Sequence, residues 1–71
     1  MRNYNDFVSK WNIIEGRRKI VRLMGGSSIL VTGYNGSYGG VYLYMNKYLI
    51  GWVEFKLIRD IEKVDADSVP G

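Results

Sequence analysis

Between Arg22 and Lys47 the chain runs 24 residues, Leu23 to Asn46, without one charged side chain, and this stretch holds six of the nine glycines and four of the ten aromatics. A helix would leave so many glycines idle, because glycine weakens a helix interior by about 1 kcal/mol relative to alanine. Strands joined by tight turns suit them. A surface this long and this neutral also calls for cover, either from the rest of the domain or from a partner.

The remaining 47 residues leave no room for a second core, so the 71 residues are expected to form one domain. Neither cysteine nor histidine occurs, which rules out disulfide staples and the usual zinc ligands and makes a homo-oligomer a natural way to complete a small core. Nothing in that composition calls for an oxidising compartment. The opening MRNYNDFV carries an acidic residue where a signal peptide needs an unbroken apolar run, so a cytoplasmic setting is expected. The uncharged stretch is too interrupted by Gly, Ser, Asn and Tyr to span a bilayer, and no membrane partner is expected.

Secondary structure follows from spacing. Asn3 or Asn5 can cap a helix whose apolar residues Phe7, Val8, Trp11 and Ile14 share one face, predicting helix from about Asp6 to Glu15 with Gly16 just past its end. Lys19 to Met24 reads as a strand stopped by Gly25 and Gly26. Ser28 to Tyr34 and Ser37 to Met45 flank Asn35-Gly36, a pair that favours a type I′ hairpin. A turn at Asn46-Lys47 then folds Tyr48 to Phe55 back on its predecessor. The register this predicts sets Met45 against Tyr48, Tyr44 against Leu49, Leu43 against Ile50, Tyr42 against Gly51 and Val41 against Trp52. One face would be core (Leu30, Val41, Leu43, Met45, Ile50, Trp52), and the other (Tyr38, Tyr42, Tyr44, Leu49, Val53) would carry hydroxyl tips, with Gly39-Gly40 able to hold a bulge. Lys56 to Val64 fits a strand better than a helix, with a tight turn at Arg59-Asp60 before a brief closing strand, and residues 65–71 read as a frayed tail.

The fold class is therefore α+β and mainly β: an N-terminal helix (about 6–15) and a bent antiparallel sheet of four or five strands (about 19–64). Its size and strand count suit closure into a small SH3-like or OB-like barrel. Such a barrel would not by itself assign a function.

Chemistry is more constrained by what is missing. Without His or Cys the commonest general base and the strongest nucleophile are gone, and Glu15, Glu54 and Asp60 show no spacing that pairs an acid with a base. The chain is not expected to be an enzyme, and no cofactor or metal is expected. The glycine-rich run Gly33 to Gly40 has neither the Lys-Ser/Thr of a P-loop nor the spacing of a dinucleotide loop, and its G-x-x-G letters lack the flanking helices of a KH loop.

What remains is aromatic and basic. The net charge is +3, and it is uneven: residues 1–24 hold six cations against two carboxylates, residues 57–71 two against four. Tyr38, Tyr42, Tyr44 and Trp52 would present rings on adjacent strands, with Arg17, Arg18, Lys19 and Lys47 at their border. Rings on a sheet with bordering cations are how single-stranded nucleic acid is held, so a nucleic-acid partner is expected at these eight residues. The same tyrosines suit a protein interface, which leaves a dimeric interaction or inhibitor domain, of the kind viral or mobile-element accessory proteins use, as the alternative. Half of the rings could equally be strand formers covering a small core, and Arg17-Arg18-Lys19 could simply guard a strand edge.

Overall fold

The computed structural model describes residues 1–64. The tail expected at 65–71 lies outside the described residues.

Helix α1 (Tyr4–Ile13) begins where Asn3, in extended conformation, accepts a hydrogen bond from the Asp6 amide at 2.9 Å on its side-chain Oδ1. That cap sets the helix two residues earlier than the periodicity predicts. The chain leaves it at Ile14, and Gly16 takes φ +94° to turn toward the first strand.

Six strands follow: β1 (Lys19–Leu23), β2 (Ser28–Val31), β3 (Gly33–Ser37), β4 (Gly40–Met45), β5 (Tyr48–Glu54) and β6 (Ile58–Lys63), with a 3₁₀ turn at Phe55–Leu57. They form two antiparallel three-stranded sheets, ordered β2-β1-β6 and β3-β4-β5. Only Thr32 separates β2 from β3, and its amide donates to the Tyr44 carbonyl at 2.8 Å, so one bent stretch of chain serves both sheets. The two sheets are not closed into a single barrel.

Alternation puts Val21 of β1, Val31 of β2, and Val41 and Leu43 of β4 inside; Ile58 and Ile61 of β6 both face in because the β1–β6 register shifts between them, and Phe55 joins them from the 3₁₀ turn. Phe7 is the one buried residue of α1 and closes this core from above. Its ring lies 4.9 Å from Tyr34, 5.7 Å from Trp11 and 6.1 Å from Phe55.

Three sequence expectations are corrected here. Asn35-Gly36 is not a turn: both residues lie inside β3, and the chain reverses at Tyr38-Gly39, with Gly39 at φ +74°. The reason is packing, since a Cβ on Gly36 would overlap the ring of Tyr4; only glycine lets α1 sit that close. The Asn46-Lys47 turn forms as read, with Asn46 at φ +55° and its amide bonded to Thr32 Oγ1.

The β4–β5 register is the second correction. Met45 faces Tyr48 and Tyr44 faces Leu49 as expected, but the register then slips, so that Leu43 faces Gly51, Tyr42 faces Trp52 and Val41 faces Val53. Ile50 is the extra residue of this bulge. The slip carries Trp52 out of the predicted core face and leaves Ile50 exposed, while Leu30, also predicted as core, faces outward on β2 because its neighbour Val31 takes the inward position. At the C-terminal end no turn forms at Arg59-Asp60; both residues lie in β6.

Candidate nucleic-acid interface

The outer face of the β3-β4-β5 sheet follows from the register. Asn35, Tyr42 and Trp52 lie side by side across the three strands, while Tyr44 sits two positions along β4, opposite Gly33 on one side and Leu49 on the other. Tyr42 and Trp52 stay about two-fifths exposed.

Neighbours hold these rings in place. The Trp52 indole donates from Nε1 to Ser37 Oγ at 2.8 Å and lies flat enough against the backbone that a Cβ on Gly40 would overlap it. Asn35 Nδ2 donates to the Tyr44 hydroxyl at 3.3 Å. Ser37 and Asn35 thus position two of the rings. Their role is invisible if Asn35-Gly36 is taken as a turn, yet the alternation of Gly33, Asn35 and Ser37 with Tyr34 and Gly36 is present in the sequence and marks them as one face.

At one end of the face is the β4–β5 turn. Arg17 Nη2 donates to Asn46 Oδ1 at 2.9 Å, which brings a cation from the α1–β1 connection beside exposed Lys47. Arg18 points to the neighbouring concavity of about 230 Å³, lined by Glu15, Gly16, Arg17, Arg18, Lys63 and Val64. At the other end Tyr38 stands fully exposed on the β3–β4 turn.

Lys19 does not belong with them. It is only 7% exposed, its Nζ donates to the Gly16 carbonyl at 2.7 Å and lies 4.6 Å from the centroid of the Trp11 ring. An ammonium held this way braces the helix-to-strand junction and cannot reach a phosphate. Tyr34 likewise turns inward, against Tyr4, Phe7 and Trp11.

Burial, with a smaller contribution from Tyr4, raises the Tyr34 phenol above its ordinary value of 10.0. The neutral phenol is the form the fold prefers, so this contribution is complete below about pH 10, where the unfolded chain holds its proton too. It is lost as pH rises from there through the higher folded-state value. Urea unfolding at neutral pH and above pH 10 is expected to show a smaller alkaline loss of stability for Tyr34→Phe than for the wild type. Equal losses would remove Tyr34 as the source.

The carboxylates are dispersed, each beside its own cation: Glu15 with Lys63 (3.6 Å), Glu54 with Lys56 (3.3 Å) and Asp60 with Lys10 (3.3 Å). Among the described residues no three acidic side chains converge on one point that could hold a metal ion, and no helix is long and apolar enough to cross a membrane. No protein-family model matches the chain, nor does any curated protein or solved structure.

Proposed function

We propose that the chain is a non-catalytic nucleic-acid-binding module that takes single strands on the outer face of the β3-β4-β5 sheet. The observation that carries this reading is the outward row of Tyr44, Tyr42 and Trp52, held by Asn35 and Ser37, with Arg17 and Lys47 at its end. Tyr42 and Trp52 offer ring surface for bases, and Tyr38 extends the row at the far turn. Arg17, Arg18 and Lys47 meet phosphates; Lys19 takes no part.

Spacing favours a single strand over a duplex. Alternate residues on a strand lie about 6.8 Å apart, twice the ~3.4 Å rise between stacked bases of one duplex strand. Bases meeting Tyr44 and Tyr42 in turn must therefore be splayed, which an unpaired strand permits and a duplex does not.

Fluorescence anisotropy with a labelled single-stranded oligonucleotide tests the reading. Tyr42→Ala and Trp52→Ala are each expected to weaken binding about 5- to 150-fold, the range for loss of one stacked base. Arg17→Ala with Arg18→Ala should weaken binding to every base sequence alike and flatten its dependence on salt. Absence of binding at low salt would reject the reading in favour of a protein-interaction or inhibitor surface.

A further inference from the structure

We infer that the free edge of β5 pairs with the same edge of a second copy, antiparallel and two-fold symmetric about Gly51, to give a dimer with one continuous six-stranded sheet.

The four sheet edges of this chain are not alike. On β6 the Ile58 carbonyl accepts from the Met1 ammonium, the Ile61 amide is taken by Asp60 Oδ1 at 2.8 Å, and Lys10 lies 3.3 Å from Asp60. That edge is thus partly engaged from within the chain. Two other edge strands are shorter, β3 with five residues and β2 with four. By contrast β5 is the longest strand, seven residues, and no described strand pairs with its outer side. Alternate residues of such an edge direct their N–H and C=O outward, a template for another strand. Its side chains add to this: from Tyr48 to Val53 none is charged, and Tyr48, Leu49 and Ile50 are 76%, 56% and 45% exposed.

The sequence of β5 suits a copy of itself. With Gly51 opposite Gly51 and the bulge counted as one position, each Trp52 meets the Leu49–Ile50 pair of the other copy and each Val53 its Tyr48, so the bulky side chains flank the dyad and the smallest residue occupies it. An apolar side chain thus faces an apolar one at each of these positions. The two ends are complementary in charge as well: Lys47, just before β5, comes beside Glu54 of the other copy, and this happens twice. A two-fold axis perpendicular to the sheet keeps the outer faces of both copies on one side, and because the pairing uses the β5 edge of both copies it closes at two.

The inference concerns the strand edge and stands apart from the nucleic-acid reading, so its test contains no nucleic acid. Sedimentation of the wild-type chain is expected to show a dimer, and Leu49→Lys with Ile50→Lys, both at exposed positions, a monomer with unchanged circular dichroism. The chain has no cysteine, and a Cβ added at Gly51 meets nothing within 4 Å, so Gly51→Cys places a single thiol at the dyad. Directly opposed strand residues lie within the ~4.4 to 6.8 Å Cα separation a disulfide accepts, so Gly51→Cys should form a disulfide dimer at least about tenfold faster than Tyr38→Cys on the exposed turn. A wild-type monomer at every concentration, an assembly larger than a dimer, or equal cross-linking rates for the two cysteine variants would each overturn the inference.

Discussion

Phe7→Ala is expected to lower the stability of the chain by about 3–5 kcal/mol at 25 °C. Phe7 is the one fully buried residue of α1, and its ring touches three other aromatic rings. Truncating a buried phenylalanine costs about 3–5 kcal/mol through lost transfer energy and the cavity left behind. The cavity here lies between the helix and the sheets, and only Tyr4 and Trp11 are left to hold α1 against Tyr34 and Phe55. Against this, a domain of this length has roughly 4–11 kcal/mol of stability in total, at about 0.05–0.15 kcal/mol per residue. The loss therefore takes between about a quarter and the whole of the margin. Near-ultraviolet circular dichroism and urea titration measure it, with Ile13→Ala as the control. Ile13 is on the same helix but 71% exposed, and its truncation should change stability by no more than about 0.5 kcal/mol. A cooperative Phe7→Ala protein within 1 kcal/mol of the wild type would show that α1 is an ornament on the sheets rather than part of the core.

Local chemistry was readable where one residue decides the outcome alone. Asn3 can cap because its short side chain reaches back to Asp6, and Asn46 tolerates positive φ, so the start of α1 and the β4–β5 turn follow from residue type. The β-branched and aliphatic runs gave the strands, and of the inward face read from their alternation Val41 and Leu43 are core. Where a distant part of the chain decides, the reading went astray. Asn35-Gly36 has the letters of a hairpin turn, but Gly36 is spent on contact with Tyr4, 32 residues earlier, and the reversal moves to Gly39. No neighbouring residue announces the bulge at Ile50, yet it determines that Trp52 stands on the outer face beside Tyr42. Of the eight candidate site residues, the structure brings Tyr42, Tyr44 and Trp52 onto one face and Arg17 and Lys47 to its end, while Arg18 opens on the adjoining concavity and Tyr38 stands on the opposite turn. Lys19 is the exception, and its parity could have shown it: on β1 it shares a face with Val21, which is core. A basic run reads as one patch in the sequence, but on a strand its members part to opposite sides.

Gly40→Ala is the single-methyl change expected to cost most. Gly40 opens β4 opposite Ser37 and Glu54, and the Trp52 ring lies against it. A Cβ there would overlap that ring and stand 2.5 Å from the Val53 carbonyl oxygen. The ring could swing away, but only by giving up its bond to Ser37; the carbonyl belongs to β5 and cannot move without parting the β4–β5 ladder at its Val41–Val53 end. Overpacking of this kind costs about 1–3 kcal/mol and more where backbone must shift, so a loss of about 3 kcal/mol in urea unfolding is expected for Gly40→Ala. Gly51→Ala is the matched control, because its added methyl meets nothing within 4 Å, and it should cost less than about 1 kcal/mol. The double variant Gly40→Ala with Trp52→Ala separates the two clashes. It relieves the ring and leaves the carbonyl, so it should recover only part of the loss. Full recovery would mean that the β4–β5 ladder yields freely at this end and that the Trp52 ring alone requires glycine at position 40. In either case the displaced indole leaves the outer face, and oligonucleotide affinity is expected to fall with stability, by an amount close to that of Trp52→Ala alone.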